Sequence, residues 1–200
     1  MRIIVTTCDS HRHLLPEFAD RFNKYWSPRQ PVDVVCFEPV RDLPENFTCH
    51  SMGRQRDFGK ADWTTPVRGF VEGLFERQFV LMLEDYHLTA PVPRSAVFAY
   101  SRLFKFPRIA KFDLSQDRAR HPHRLLDTML VSEQGAPYRT SVQAAIWRTS
   151  YFLRYCVPGR TVWEFELKGS RQARNDGQDI LGTREGVVHY TNASGRTDTQ

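Results

Sequence analysis

The sequence has 200 residues, of which 40% are hydrophobic and 26% charged, a size and composition that suit one domain with its own core. No stretch approaches the roughly 18 apolar residues of a membrane span, and the apolar start at residues 3–5 is too short for a signal peptide, so we expect a cytoplasmic protein. The net charge of +5 predicts a mild attraction to polyanions, such as a nucleotide, a phosphorylated lipid or a nucleic acid, without choosing among them.

The first half of the chain alternates between strand-like and helix-like segments. The spacing of its apolar residues predicts strands over 2–7, 32–37 and 47–51 and helices over 13–22 and 63–77. The polar, glycine-containing segment over 52–62 is expected to form a loop above the site. This alternation predicts an α/β fold in which helices cover both faces of a largely parallel sheet.

The second half begins with a short apolar strand, residues 79–86, that ends in two adjacent carboxylates. The pattern then predicts a helix over 94–104, a strand over 109–114 and a mobile basic loop over 115–123. A turn at 135–137 predicts a hairpin of the segments 130–133 and 139–147. Helices over 151–155 and 161–174 and a last strand over 186–190 complete the prediction. We expect a single domain over 1–192 followed by a polar, frayed tail over 193–200.

The four cysteines, Cys8, Cys36, Cys49 and Cys156, are scattered along the chain without a Cys-x-x-Cys spacing. In a cytoplasmic protein this arrangement predicts reduced, mostly buried thiols. The spacing does not predict a zinc site built from these cysteines.

Glu84 and Asp85 stand at the carboxyl end of a buried strand, which is where α/β sheets place their chemistry. Their oxygens suit Mn²⁺ or Mg²⁺, and His189, at the end of the last predicted strand, is a candidate third ligand. The alternative is a solvated acidic turn and a histidine with a purely structural role.

Glu164 and Glu166 are the candidate catalytic carboxylates. If Thr161 caps the predicted helix, Glu164 falls at its third position and forms a capping box, which explains this glutamate without a function. Two residues on a helix are about 200° apart, so the two carboxylates cannot face one substrate, and Glu166 becomes the candidate general base. Trp147 and Trp163 either stack on a sugar or base or belong to the core.

The chain resembles nucleotide-sugar-dependent glycosyltransferases with the GT-A fold, in particular small bacterial and phage members. The resemblance extends over nearly the whole chain and depends on the segments 3–9, 81–86, 141–147, 163–166 and 169–170, together with Trp63 and the helix after it. It implies a single-domain, Rossmann-like α/β fold with a mixed, mainly parallel sheet flanked by helices. It also implies sugar transfer from a nucleotide-sugar donor, assisted by Mn²⁺ or Mg²⁺.

The resemblance assigns a role to each candidate residue. An acidic motif written DxD closes a strand in this family and binds the metal and the donor diphosphate; here its place is taken by Glu84, Asp85 and Tyr86, with a tyrosine where the second aspartate is expected. By the same resemblance, the metal ligands are Asp85, Glu84 and His189. The nucleotide base and ribose are implied to lie against Thr6, Thr7 and Asp9, beside Lys60 and Trp63. The resemblance further implies that Glu166 deprotonates the acceptor.

The leading hypothesis is therefore an inverting sugar transferase whose acceptor is a glycan or a modified base in DNA. A DNA acceptor fits the positive charge and the basic segment over 118–124. The alternative is a non-catalytic nucleotide- or nucleic-acid-binding module of the same fold. A metal-dependent nuclease is disfavoured, because no catalytic lysine lies at a conventional spacing from the acidic pair.

Overall fold

The computed structural model describes residues 1–59, 61–116, 121–123 and 126–194. Within these ranges the α-helices are α1 (Leu15–Tyr25), α2 (Thr64–Glu72), α3 (Arg94–Ser101), α4 (Thr149–Tyr155) and α5 (Val162–Gln172). The strands are β1 (Arg2–Thr6), β2 (Val32–Cys36), β3 (Phe47–Ser51), β4 (Gln78–Leu83), β5 (Tyr86–Leu88), β6 (Ile109–Asp113), β7 (His121–His123), β8 (Leu126–Val131), β9 (Ala145–Arg148), β10 (Asp179–Gly182) and β11 (Tyr190–Asn192).

Nine strands form one sheet in the order β3-β2-β1-β4-β9-β6-β10-β8-β7, and β5 pairs with β11 in a separate two-stranded sheet. Strands β3, β2, β1 and β4 are parallel neighbours, whereas β9 is antiparallel to both β4 and β6, and β8 is antiparallel to both β10 and β7. Since β10 is parallel to β6, all strands of the large sheet except β8 and β9 point the same way. The predicted α/β domain with a mixed, mainly parallel sheet is confirmed.

Both faces of the sheet are buried, because successive residues of a strand point to opposite sides. In β1, Ile3 and Val5 belong to an apolar cluster that includes α1, while Ile4 belongs to the cluster on the other face, which includes α2, α4 and α5. Strand β4 divides in the same way, with Val80 on one side and Leu81 on the other. None of the described helices has the length and apolar composition that crossing a bilayer requires.

The structure corrects several predicted elements. The predicted hairpin of 130–133 and 139–147 is wrong, because β8 pairs with β7 and β10 while β9 lies between β4 and β6. Strand β10 was not predicted, and the last strand covers Tyr190–Asn192 rather than 186–190. Residues 121–123 of the expected loop form β7, and residues 117–120 and 124–125 lie outside the described ranges.

Helix α2 is shorter than predicted, since it ends at Glu72 and the next residue, Gly73, is its C-cap. At its N-terminus, the Thr65 amide donates a hydrogen bond to Asp62 Oδ1 at 3.0 Å. Trp63, the residue before α2, donates its amide hydrogen to the Arg160 carbonyl at 2.9 Å and lines a cavity.

Candidate functional site

A cavity of about 790 Å³ opens where β1, β2 and β4 end. Its volume lies in the range of roughly 300 to 1,000 Å³ that is usual for small-molecule sites. The carboxyl ends of parallel strands form this edge, which is where open α/β folds bind their ligands. The walls come from the ends of these strands, from the segment before β9, from the first turns of α5 and from the residues after β11.

The charge of the cavity wall is the first guide to its chemistry. Four carboxylates, those of Asp62, Glu84, Asp85 and Glu166, line the cavity, and the described part of its lining contains no lysine or arginine. Phosphate groups would therefore meet negative side chains here unless a cation lay between them. Lys60, which was predicted to lie beside the nucleotide, is outside the described residues.

The acidic pair lies in the turn between β4 and β5, so the predicted strand over 79–86 is in fact two strands. Glu84 is only 5% exposed, and His11 Nδ1 lies 3.2 Å from its Oε1. Burial raises the pKa of Glu84, while the hydrogen bond from His11 acts in the opposite direction. A buried carboxylate with this environment favours a positively charged partner.

Asp85 is held by the residues that follow β11. Its backbone carbonyl accepts a hydrogen bond from the Ala193 amide at 2.9 Å, and its Oδ2 accepts one from Ser194 Oγ at 2.7 Å. The other carboxylate oxygen, Oδ1, is buried and makes no hydrogen bond to the described part of the protein. Ser194, in the predicted frayed tail, therefore forms part of the cavity wall, and residues 195–200 lie outside the described ranges.

Tyr86, which stands where the resemblance implies a second aspartate, is a buried core residue. It begins β5, is 4% exposed, and stacks on Tyr190 of β11 with ring centroids 4.3 Å apart. His189, the predicted third metal ligand, precedes β11 with an exposed side chain and does not line the cavity. Glu84 is instead grouped with Cys8 and His11, whose ligand atoms all lie within 4.8 Å of one another.

The residues expected to hold the nucleotide are only partly brought together. Thr6 and Thr7 line the cavity at the end of β1, and Trp63 Nε1 donates a hydrogen bond to Thr6 Oγ1 at 3.0 Å. Asp9 does not line the cavity, because its carboxylate accepts a hydrogen bond from the Glu38 amide at 3.2 Å and its own amide donates to Gln55 Oε1. Of the residues predicted to contact the nucleotide, Thr6, Thr7 and Trp63 therefore line the cavity.

The two candidate catalytic glutamates occupy different environments. Glu166 is 7% exposed, lines the cavity, and accepts a hydrogen bond from the Val142 amide at 2.8 Å through Oε1. Glu164 does not line the cavity: it accepts a hydrogen bond from the Thr161 amide, and Lys168 Nζ lies 2.6 Å from it. The hydrogen bond from Lys168 lowers the pKa of Glu164. The predicted capping box is confirmed, and it occupies the Glu164 carboxylate.

We expect Thr161→Ala to lower the free energy of unfolding by about 1 kcal/mol, because it removes the acceptor for the Glu164 amide at the start of α5. Urea denaturation with an unchanged m-value would measure the loss. Thr161→Ser keeps the hydroxyl and should remain close to the wild type; equal losses in both variants would mean that packing, not the cap, stabilises this end of the helix.

The wall that carries Val142 is fixed to α5 by close contacts. Thr140 Oγ1 lies 3.1 Å from the carbonyl oxygens of Phe165 and Glu166, and the Thr140 amide donates to Ser170 Oγ. A Cβ atom at Gly169 would lie 2.6 Å from Thr140 Oγ1, so only glycine permits this approach. The contacts hold Glu166 and its hydrogen-bond donor in one rigid unit.

The two tryptophans considered for stacking differ in burial. Trp147 is fully buried in the core beneath Lys111, whose Nζ lies 4.9 Å from its ring centroid, so it is a core residue. Trp163 is 47% exposed and lines the cavity.

Cys8 and His11 are cavity residues that sequence reasoning missed. Both lie in the turn after β1, where the His11 amide donates to the Cys8 carbonyl at 3.0 Å. Their Cys-x-x-His spacing was the available signal, but Glu84 joins them only because Thr6 of β1 is paired with Leu83 of β4.

Comparison with known proteins identifies relatives in fold alone. No protein-family model matches the sequence, and the curated proteins contain no match either. Among solved structures, a mannosyltransferase from Pyrobaculum calidifontis, in complex with GDP-Man and Mn²⁺, has a TM-score of 0.56 and 14% identity over 94% of this chain and 55% of its own. The S. aureus protein TarS, residues 1–349 in complex with UDP-GlcNAc, has a TM-score of 0.57 and 10% identity over 98% of this chain and 62% of its own.

A third neighbour is a cytidylyltransferase from Leptospira borgpetersenii, with a TM-score of 0.54 and 11% identity over 95% of this chain and 81% of its own. The chain therefore spans about half to three fifths of the mannosyltransferase and of TarS 1–349, and most of the cytidylyltransferase. At these identities the likeness is one of fold. The chain has the fold of GT-A nucleotide-sugar glycosyltransferases, as the resemblance in the sequence implied.

Proposed function

We propose that this protein is a glycosyltransferase that moves a sugar from a nucleotide-sugar donor to an acceptor hydroxyl with inversion at the anomeric carbon. The observation that carries the proposal is the placing of Asp85 and Glu166 on the wall of one cavity, from the end of β4 and from α5. Sugar transfer needs a cation beside the leaving diphosphate and a base for the acceptor; one carboxylate can hold the cation and the other can act as the base.

A divalent cation fits the donor end of this cavity. The buried Asp85 Oδ1 makes no hydrogen bond to the described residues, and the described lining offers no lysine or arginine to a diphosphate. Carboxylate oxygen is the ligand type that Mg²⁺ and Mn²⁺ prefer. When bound, such an ion neutralises the charge that develops on the leaving diphosphate. Of the predicted ligands, Asp85 is the best placed for this role, with Glu84 beside it.

Glu166 is the proposed general base. Its Oε1 is fixed by the Val142 amide, and this hydrogen bond sets the position of the carboxylate at the cavity wall. A base that takes the proton of the acceptor hydroxyl while that oxygen attacks the face opposite the leaving diphosphate gives inversion. Thr6, Thr7 and Trp63 are proposed to contact the nucleoside, and Trp163 the sugar or the acceptor.

The proposed acceptor is a hydroxyl on a glycan or on a modified base in DNA. The net charge of +5 favours a polyanion, and the basic segment over 118–124 would supply phosphate contacts. Acceptor binding that weakens steeply with added salt would support DNA, whereas salt-insensitive binding would support an uncharged glycan.

The experiment that tests the function is a panel of nucleotide sugars incubated with the protein and Mn²⁺, with release of nucleoside diphosphate as the readout. We expect slow hydrolysis of one donor, since water replaces a missing acceptor. Tight nucleotide binding without turnover of any donor would support the non-catalytic module instead.

The cytidylyltransferase neighbour is the reason to add CTP and a panel of sugars to the same assay, because this chain covers 81% of that protein. Nucleotidyl transfer releases pyrophosphate, whereas glycosyl transfer releases a nucleoside diphosphate. Pyrophosphate release from CTP that depends on an added sugar would overturn the glycosyltransferase proposal.

A further inference from the structure

The turn after β1 and the end of β4 bring together a thiol, an imidazole and a buried carboxylate. One ligand atom from each of Cys8, His11 and Glu84 lies within 4.8 Å of the other two. We propose that these three residues form a binding site for a thiophilic divalent cation, with the ligand preferences of Zn²⁺, distinct from the carboxylate of Asp85.

The backbone holds the ligands close together before any ion binds. The amides of His11 and Arg12 both donate to the Cys8 carbonyl, at 3.0 and 2.9 Å, which closes a tight turn between the first two ligands. Thr6 and Leu83 are register partners in the parallel pair β1–β4, so the residues that follow them leave the sheet side by side. The third ligand, Glu84, directly follows this pairing. The site therefore has little conformational entropy to lose on binding.

The distances suit a small tetrahedral ion. Zn²⁺ lies about 2.0 to 2.3 Å from nitrogen, oxygen and sulfur ligands, so its ligand atoms are about 3.4 to 3.6 Å apart. His11 Nδ1 and Glu84 Oε1 are 3.2 Å apart, a hydrogen-bonded pair whose proton a bound ion would displace, and all three ligand atoms lie within 4.8 Å of one another. Cys8 Sγ lies 3.1 Å from Ser10 Oγ, a weak contact that an ion would replace.

The chemistry of the three ligands selects the class of ion. A thiolate and an imidazole favour Zn²⁺ over Mg²⁺, which prefers oxygen ligands alone. Glu84 is 5% exposed and supplies a carboxyl oxygen that is already out of water, while Cys8 and His11 are partly exposed at the cavity. Three protein ligands leave a fourth position open to the cavity, as in zinc sites that bind a water or a substrate atom.

The test uses metal alone, so it does not depend on the proposed function. Chelator-treated protein is titrated with Co²⁺, which reports a thiolate ligand by a sulfur-to-cobalt charge-transfer band and tetrahedral geometry by intense visible bands. We expect one Co²⁺ per chain with both signals, displaced by Zn²⁺ and not by Mg²⁺.

Cys8→Ser should remove the charge-transfer band and weaken Zn²⁺ binding by about tenfold or more in calorimetry, since it replaces a metal ligand. Cys49→Ser is the matched control: Cys49 is also a partly exposed free thiol, but it lies in β3 with its Sγ 3.8 Å from the Val40 carbonyl. His11→Asn should weaken binding as Cys8→Ser does. Absence of the band in the wild type, its persistence in Cys8→Ser, or its loss in Cys49→Ser would overturn the proposal.

Discussion

Glu166→Gln is expected to lower the rate of sugar transfer by about a hundredfold to ten-thousandfold while donor affinity stays within about twofold of the wild type, because the change removes only the general base. The amide side chain keeps an oxygen that can accept from the Val142 amide, so the wall before β9 should retain its position. Single-turnover kinetics at saturating donor, with calorimetry for the nucleoside diphosphate, would separate the two effects.

Glu164→Gln provides the matched control two residues away. Glutamine also serves in a capping box, and the Glu164 carboxylate is engaged with Thr161 and Lys168, so this variant should transfer sugar at the wild-type rate. Equal losses in both variants would indicate a general effect on α5. Wild-type transfer by Glu166→Gln would mean that Glu166 only positions the backbone of Val142, and it would reject the assignment of the base.

The parts of the fold that the sequence predicts well are those in which local pattern and burial agree. The apolar run before Glu84 and Asp85 predicts a buried strand with a functional end, and β4 ends within one residue of the pair. Thr161 and Glu164 predict the start of α5 through their mutual hydrogen bonds, which involve residues only three apart. These signals involve residues that are close in the sequence, so they depend little on contacts with the rest of the chain.

The wrong predictions concern elements whose structure depends on contacts between residues that are far apart in the sequence. The turn at 135–137 favours a hairpin, but Arg139, fully buried, binds Asp176 at 2.9 Å and the carbonyls of Glu133 and Gln178, which directs the chain away from β8. Strand β10 has four residues, and its formation depends on pairing with β6 and β8 rather than on its own propensity.

The residues of the candidate site also divide into those that a local pattern predicts and those that depend on distant contacts. The acidic pair and Glu166 were accessible to sequence reasoning, because each follows from its place on one strand or one helix. The group of Cys8, His11 and Glu84 was not, since it requires the register of Thr6 with Leu83. Tyr86 is explained only by its stacking on Tyr190, which is more than 100 residues away in sequence.

Asp85→Asn is expected to abolish the effect of Mn²⁺ on donor binding. In the wild type, Mn²⁺ should raise the affinity for a nucleoside diphosphate by about a hundredfold, because the four carboxylates of the cavity wall otherwise repel the phosphates. In the variant, affinities with Mn²⁺ and with a chelator should be equal, since the neutral amide replaces the charged ligand whose Oδ1 makes no hydrogen bond to the described residues. Calorimetric titration of both proteins, with and without Mn²⁺, measures the difference.

Ser194→Ala is the control for this variant, because it removes the hydrogen bond to Asp85 Oδ2 and leaves the carboxylate. It should retain most of the Mn²⁺ effect. If Asp85→Asn keeps the effect and Cys8→Ser loses it, the cation that meets the diphosphate belongs to the site formed by Cys8, His11 and Glu84. If both Asp85→Asn and Cys8→Ser keep the Mn²⁺ effect, neither proposed cation site contributes to binding of the diphosphate. The assignment of Asp85 as the ligand of the donor's cation then fails.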